Sequence, residues 1–253
     1  MQHKELKRIV KNANTAILFI HGIVGTPNHF DDFIKLVPDH ISIYNMLLDG
    51  HGREVEDFAN TSMKKWETQV QKAVDELSES HKTIYLAAHS MGTLLSIEQA
   101  IRCEKIAKLF LLAVPIKLFL KPKMVTNSLK VFFNKIRPDD HLALAAKKAY
   151  GIEQDKNPIH YIGWIPRFLE LFTKKNSTRR MLSLLKTPCF AYQSSKDEMV
   201  SIKSVKLLKQ NPCIRVVELK KSGHFYYGKE DFAFLVSEFE KFIGDIPATV
   251  PNS

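Results

Sequence analysis

Ala88-His89-Ser90-Met91-Gly92 stands between a short apolar run at 84–88 and a helical pattern at 94–101. The run is rich in β-branched and aromatic residues and reads as a buried strand, so the serine falls on a sharp strand-to-helix turn. A serine there projects its hydroxyl away from the sheet. The small residues two positions before and after it, Ala88 and Gly92, let strand and helix approach closely. Taken alone, the same serine also reads as an ordinary helix cap.

Working outward, similar apolar runs occur at 16–20, 41–48, 109–114, 189–193 and 216–219, each a candidate strand of a parallel sheet. Helical patterns lie between them. One at 66–77 places Trp66, Val70, Ala73, Val74 and Leu77 on a single face, and another at 232–243 closes the chain. Strands alternating with helices predict an α/β fold, an open and mostly parallel central sheet flanked by helices. The alternation breaks once, between Pro115 and Thr187. Helical pieces are expected there at 125–136, at 139–150 ended by Gly151, at 167–173 after Pro166, and at 178–185 before Pro188. No Gly/Ser linker sets this stretch apart, so it reads as a cap at 115–187 on one core domain made of 1–114 and 188–253.

Three further segments stand at the ends of predicted strands, where open α/β sheets place their sites. His21-Gly22-Ile23-Val24-Gly25 follows the first strong strand. Ser194-Ser195-Lys196-Asp197-Glu198-Met199-Val200 follows the run at 189–193, and Ser222-Gly223-His224-Phe225 follows the last. Each alone is an ordinary loop. Together with Ser90 they place a serine, an acid and a histidine, in chain order, at three strand ends.

Together these segments resemble the α/β-hydrolase superfamily, with its G-x-S-x-G nucleophile elbow, H-G-x-x-G loop, acid loop and late histidine. Ala88 replaces the first glycine of the elbow. Within the superfamily the chain is most similar to bacterial carboxylesterases and monoacylglycerol lipases, and Asp49-Gly50-His51-Gly52 adds a turn that recurs there. The resemblance spans nearly the whole chain and implies an α/β-hydrolase fold with the helical cap inserted after the sixth strand. It further implies Ser90 as nucleophile, His224 as base, and Asp197 as the acid, since Val200 completes a D-x-x-V pattern. Glu198, adjacent, is the alternative acid. The backbone N–H groups of Ile23 and Met91 are the implied oxyanion donors. A serine at the elbow separates the chain from the dehalogenase and epoxide-hydrolase branches, which use aspartate. His51 and His89 read as structural.

Function is then expected to be ester hydrolysis through an acyl-serine, on short or medium acyl esters or monoacylglycerols. Thioesterase or lysophospholipase action would use the same groups. Trp164, Ile165, Phe168, Leu169 and Phe172 in the cap, with Phe225, are candidates for an acyl pocket. No phosphate loop, dinucleotide fingerprint or H-E-x-x-H helix occurs, and neither a cofactor nor a metal is expected.

With 253 residues, 45% hydrophobic and 25% charged, the chain has the composition of a folded globular protein. Its three cysteines, Cys103, Cys189 and Cys213, are widely spaced and suit a reducing compartment. No apolar run reaches the roughly 20 residues that span a bilayer, and the basic N-terminus lacks an apolar stretch after it, so a cytoplasmic location is expected. The formal charge of +10 is unevenly placed. Residues 115–187 hold 15 Lys and Arg against 5 Asp and Glu, while the remainder holds 22 of each sign. Nucleic-acid binding is not expected, because these basic residues are interleaved with an amphipathic helical pattern. Transient contact of the basic cap with anionic lipid surfaces is, in a monomer or weak homodimer. The competing reading from another class is a non-catalytic basic binding protein on a hydrolase-like scaffold.

Overall fold

The computed structural model describes residues 3–119, 130, 135–153, 155 and 157–244. Seven strands form one sheet: β1 (Leu6–Arg8), β2 (Thr15–Ile20), β3 (Ser42–Met46), β4 (Thr83–His89), β5 (Ile106–Leu112), β6 (Cys189–Ser194) and β7 (Ile214–Leu219). Their spatial order is β1-β3-β2-β4-β5-β6-β7. Only β1 runs antiparallel, on β3. The six longer strands are the six apolar runs of the sequence. The edge strand Leu-Lys-Arg is not one of them, because it is too short and too polar to read as a strand.

The described helices are α1 (Asp31–Ile34), α2 (Val55–Ala59), α3 (Met63–Ser80), α4 (Met91–Arg102), α5 (His141–Ala149), α6 (Ile165–Met181), α7 (Ser204–Leu208) and α8 (Lys229–Gly244). They cover both faces of the sheet, which explains why the central strands are apolar throughout: β2 is buried at every position. On one face α3 buries Trp66, Val70, Ala73, Val74 and Leu77, the stripe expected from its periodicity, and Ser62 caps it by accepting from the Lys65 N–H at 3.2 Å. On the other face Phe239 and Phe242 of α8 meet Phe110 of β5, with ring centroids 5.2 and 5.5 Å apart. Each such buried phenylalanine contributes about 2 to 3 kcal/mol by removal from water.

Between β5 and β6 the described chain is helical, as expected. The pieces expected at 167–173 and 178–185 are instead one helix, α6, followed by a short 3-10 turn at Leu182–Leu184. The helix expected at 125–136 lies largely outside the described residues. The insertion, expected after a sixth strand, follows the fifth strand described here, because no described strand separates β5 from it. Among the described residues no helix is long and apolar enough to cross a membrane. The cysteines carry free thiols.

Register brings the motif loops to one end of the sheet. Ile20 pairs with Ala88, so the chains leaving β2 and β4 emerge side by side as His21-Gly22 and His89-Ser90. Ser194 pairs with Leu219, so the loops that carry Asp197 and His224 emerge together as well.

Candidate active site

Ser90 has φ +51° and ψ −121°, a strained conformation for a residue with a side chain. Three contacts hold it. Its N–H donates to the Leu112 carbonyl at 2.9 Å, and its own carbonyl accepts from the Thr93 N–H at 2.9 Å and the Thr93 hydroxyl at 2.6 Å. Gly92 is required by crowding: a Cβ there would lie 2.2 Å from the Ile20 carbonyl oxygen, so α4 packs against the end of β2 only without a side chain. The departure at Ala88 is tolerated, since its methyl is fully buried in the strand.

The His21-Gly22-Ile23 loop lies directly against the elbow. A Cβ on Gly22 would stand 2.9 Å from the Ser90 Cβ. The loop is tightly wound: the Gly25 N–H donates to the Gly22 carbonyl at 3.0 Å, and Val24 has φ +50°. His21 fixes its base. The ring Nε2 accepts from the Leu48 N–H at 3.1 Å, which assigns the proton to Nδ1, and Nδ1–H donates to the Gly22 carbonyl at 2.9 Å. Burial, followed by the neighbouring His51, holds the His21 pKa well below the usual imidazole value. His51 itself is pushed down to about 4 by burial; it hydrogen-bonds the Leu48 and Asp49 carbonyls and packs edge-on against His21. Both rings bond loop backbone here, His51 through Nδ1 alone.

His224 and Asp197 meet in the interior, 2% and 1% exposed. The imidazole Nδ1–H donates to Asp197 Oδ2 at 2.9 Å. Asp197 Oδ1 accepts from the Met199 and Val200 N–H groups, each at 2.7 Å, so the carboxylate is bonded on both oxygens and its ring partner is oriented. The D-x-x-V spacing therefore has a structural reason: the turn that closes at Val200 holds the aspartate. Glu198, the alternative acid, does something else, accepting the backbone N–H of His224 at 2.9 Å. His89, beside Ser90, donates from Nε2 to the His224 carbonyl at 3.0 Å and so ties the elbow to the histidine loop.

Two elements at the site carry no signal in the sequence. His29, from the turn before α1, packs on His89 with centroids 4.1 Å apart, and its pKa is pushed down to about 3 by desolvation and then by His224. Gly151 reads in sequence only as the stop of a helix. Its N–H donates to the Val24 carbonyl at 2.9 Å, and a Cβ there would lie 2.0 Å from the Gly25 carbonyl oxygen. The inserted segment thus rests on the His21–Gly25 loop through a position where only glycine fits.

The candidate pocket residues divide. Phe225 packs edge-on against His224, with centroids 4.7 Å apart, and lines a narrow cleft beside it with Leu142, Ala146, Tyr150 and Met199. Trp164 is packed away instead, its Nε1–H donating to the Val55 carbonyl at 3.0 Å and its ring edge-on to Phe58. Phe168 is half-buried against the core. Ile165, Leu169 and Phe172 are 56%, 60% and 38% exposed and form an outer apolar face, so they do not enclose a pocket. The helical period holds there, and its apolar stripe faces outward.

Below the elbow, Lys174 of α6 is buried and ion-paired with Glu98 of α4 and, at 2.7 Å, with Glu67 of α3; the Thr178 hydroxyl donates to Glu98 at 2.8 Å. This fastens the insertion to the helix that begins at Ser90. At the other end of the insertion, His160 Nδ1 lies 2.6 Å from Asp155 and 2.9 Å from Glu56. These are the three groups among the described residues whose ligand atoms converge as a metal site would require. They already satisfy one another as an ion-pair cluster.

A family model described as the alpha/beta hydrolase family matches residues 17–236. No sequence among the curated proteins matches the chain. Among solved structures, the metagenome-derived lipolytic enzymes LipS and LipT are represented by a chain with a TM-score of 0.73 at 17% identity, covering 96% of this chain and 98% of that one. The monoacylglycerol lipase of Paleococcus ferrophilus has a TM-score of 0.69 at 15% identity, with 96% and 99% covered. A carboxylesterase structure from the thaumarchaeon Nitrososphaera gargenis has a TM-score of 0.66 at 14% identity, with 96% of each chain covered. At these identities the likeness establishes the fold.

Proposed function

Because the chain belongs to the alpha/beta hydrolase family, we propose that it is a serine carboxylic-ester hydrolase in which Ser90, His224 and Asp197 form the triad. The observation that carries this reading is the buried Nδ1–H hydrogen bond from His224 to Asp197 at 2.9 Å. With its proton fixed on Nδ1, the imidazole has Nε2 free as a base. His224 Nε2 removes the Ser90 proton as Oγ attacks the ester carbonyl. Asp197 holds the tautomer and stabilises the imidazolium. The Ile23 and Met91 N–H groups receive the oxyanion, each worth about 3 to 4 kcal/mol in the transition state. His224 then gives its proton to the leaving alcohol. Water, deprotonated by the same nitrogen, attacks acyl-Ser90 and releases the acid.

The substrate class we assign is a short or medium acyl ester or a monoacylglycerol. The small cleft beside His224, about 20 Å³, is walled mainly by Leu142, Ala146, Tyr150, Met199 and Phe225 and completed by Glu198 and Tyr226, so the side of the site toward the insertion is largely apolar. The lipolytic and carboxylesterase neighbours agree with that class. Thioesters and lysophospholipids present the same carbonyl to the same groups and are the second reading.

Labelling with a fluorophosphonate probe tests the reading. Wild type labels, and Ser90→Ala and His224→Ala do not. A folded wild type that fails to label would overturn catalysis and leave a binding protein on this scaffold. A series of p-nitrophenyl esters of rising chain length, followed by monoacylglycerols and acyl thioesters, then ranks the substrates. Activity on Ser90→Ala falls by about 10⁶.

A further inference from the structure

Among the described residues, the outer face of α6 and of the 3-10 helix that leads into it, Pro158–Trp164, is an unpartnered apolar stripe. Ile162, Ile165, Leu169 and Phe172 are all exposed, at 61%, 56%, 60% and 38%, and Ile159 extends the row at 66%. At 100° per residue, Ile165, Leu169 and Phe172 fall within an arc of about 60°. The opposite face of the same helix is committed to the core through Leu171, Lys174 and Thr178. The stripe is therefore not a mispacked core face. Core contacts already have their own side of the helix.

Along the same outer arc the helix ends in Arg179 and Arg180, both exposed, and Lys175 lies at its border with its ammonium 5.3 Å from the Phe172 ring centroid. Three acids near the stripe are paired. Glu170 pairs with Arg167 at 2.9 Å, and Glu56 and Asp155 share His160. The whole inserted segment carries the entire +10 excess of the chain. Exposed aliphatic side chains rimmed by basic ones, on a helix about 25 Å long, are the arrangement of an element lying in a membrane interface.

We propose that this face, Ile159 to Phe172 with Lys175, Arg179 and Arg180, docks on an anionic lipid bilayer. A bilayer with acidic headgroups supplies both halves of what the face presents, hydrocarbon for the stripe and negative charge for its rim. A second copy of this chain does not, since apposing two such faces brings their basic rims together. The docking is separate from the hydrolase reading, because it uses neither Ser90 nor His224.

Flotation with vesicles tests it, using purified protein and either phosphatidylcholine alone or phosphatidylcholine with 30% phosphatidylglycerol. Wild type floats with the anionic vesicles and binds the neutral ones about tenfold or more weakly. Ile162→Asp/Leu169→Asp and, separately, Arg179→Glu/Arg180→Glu each lower anionic binding by about tenfold or more. Circular dichroism and the melting temperature verify that both variants fold, and as the sites are exposed both remain near wild type. Equal flotation on both vesicle types, no flotation, or folded variants that bind as wild type does would overturn the proposal. So would a wild type that sediments as a dimer which the aspartate variant dissociates.

Discussion

The Glu198 carboxylate accepts the backbone N–H of His224 at 2.9 Å, while its neighbour Asp197 accepts the ring N–H of the same residue at 2.9 Å. Two consecutive acids thus hold one histidine by different handles. The division of labour follows from their directions on the loop: Asp197 is fixed by the Met199 and Val200 N–H groups, and Glu198 reaches under Gly223, where a Cβ would stand 3.0 Å from both its oxygens.

Under the proposed mechanism the two acids separate by mutation. Asp197→Asn cannot stabilise the imidazolium or fix the productive tautomer, and kcat falls by about 10⁴. Glu198→Gln keeps an acceptor for the backbone N–H and costs about tenfold or less. Steady-state kinetics on a p-nitrophenyl ester decides this. Equal losses in the two variants would mean that Glu198 acts on the ring.

Acid should destabilise the fold earlier than carboxylate titration alone would. His21, His51 and His89 are 0 to 1% exposed, and burial lowers the pKa of each, to about 4 for His51. Their pKa is lower folded than unfolded, so the unfolded chain binds more protons as pH falls below 6.5. The stability they provide is complete above about pH 6.5 and is lost progressively below it, down to about 4 for His51, with a slope of about 1.4 kcal/mol per pH unit for each fully titrating ring. Denaturant unfolding should therefore show a level stretch from pH 7.5 to about 6.5 and a decline from there to pH 5. A flat profile down to pH 5 would count against neutral buried rings.

What could be read from the chain was whatever is encoded by near neighbours in sequence. Strands β2, β4 and β6 announce themselves as apolar runs because helices cover both sides of them, and the elbow at Ser90 follows from small residues two positions either side. β1 did not, because Leu6–Arg8 is held by pairing with β3 and not by its own composition. His29 and Gly151 were invisible as site residues for the same reason: their partners, His89 and Gly25, lie 60 and 126 residues away. The stripe of α6 reads as a pocket lining and yet points outward, because a helical period gives a face but not its direction.

Gly151 yields a prediction from that contact. Gly151→Ala places a methyl 2.0 Å from the Gly25 carbonyl oxygen, so either the inserted segment or the His21–Gly25 loop must move. The core sheet is untouched, and melting falls modestly. Because that loop carries the proposed Ile23 oxyanion donor, kcat drops by about tenfold to a thousandfold, with the upper end set by loss of one donor. Unchanged kcat in a folded Gly151→Ala would show that the insertion merely rests on the loop.

The sequence break expected at 174–177 fails for a reason that is itself testable. Lys174-Lys175-Asn176-Ser177 looks like a polar interruption, yet Lys174 is 6% exposed and carries α6 across it by pairing with Glu98 and Glu67. Removing one partner leaves a buried charge. Lys174→Met strands Glu98 with only the Thr178 hydroxyl and costs about 3 to 5 kcal/mol. Glu98→Gln alone leaves Lys174 the Glu67 carboxylate at 2.7 Å, which is a third exposed, and costs less. The double variant Lys174→Met/Glu98→Leu removes both charges and recovers most of the loss, since an apolar pair of similar volume avoids desolvating either ion. Urea unfolding of wild type, Lys174→Met, Glu98→Leu and the double variant measures the coupling. Additive losses in the double variant would mean that the pair does not hold α6 to α4, and that the helix runs through 174–177 on packing of Leu171 and Thr178 alone.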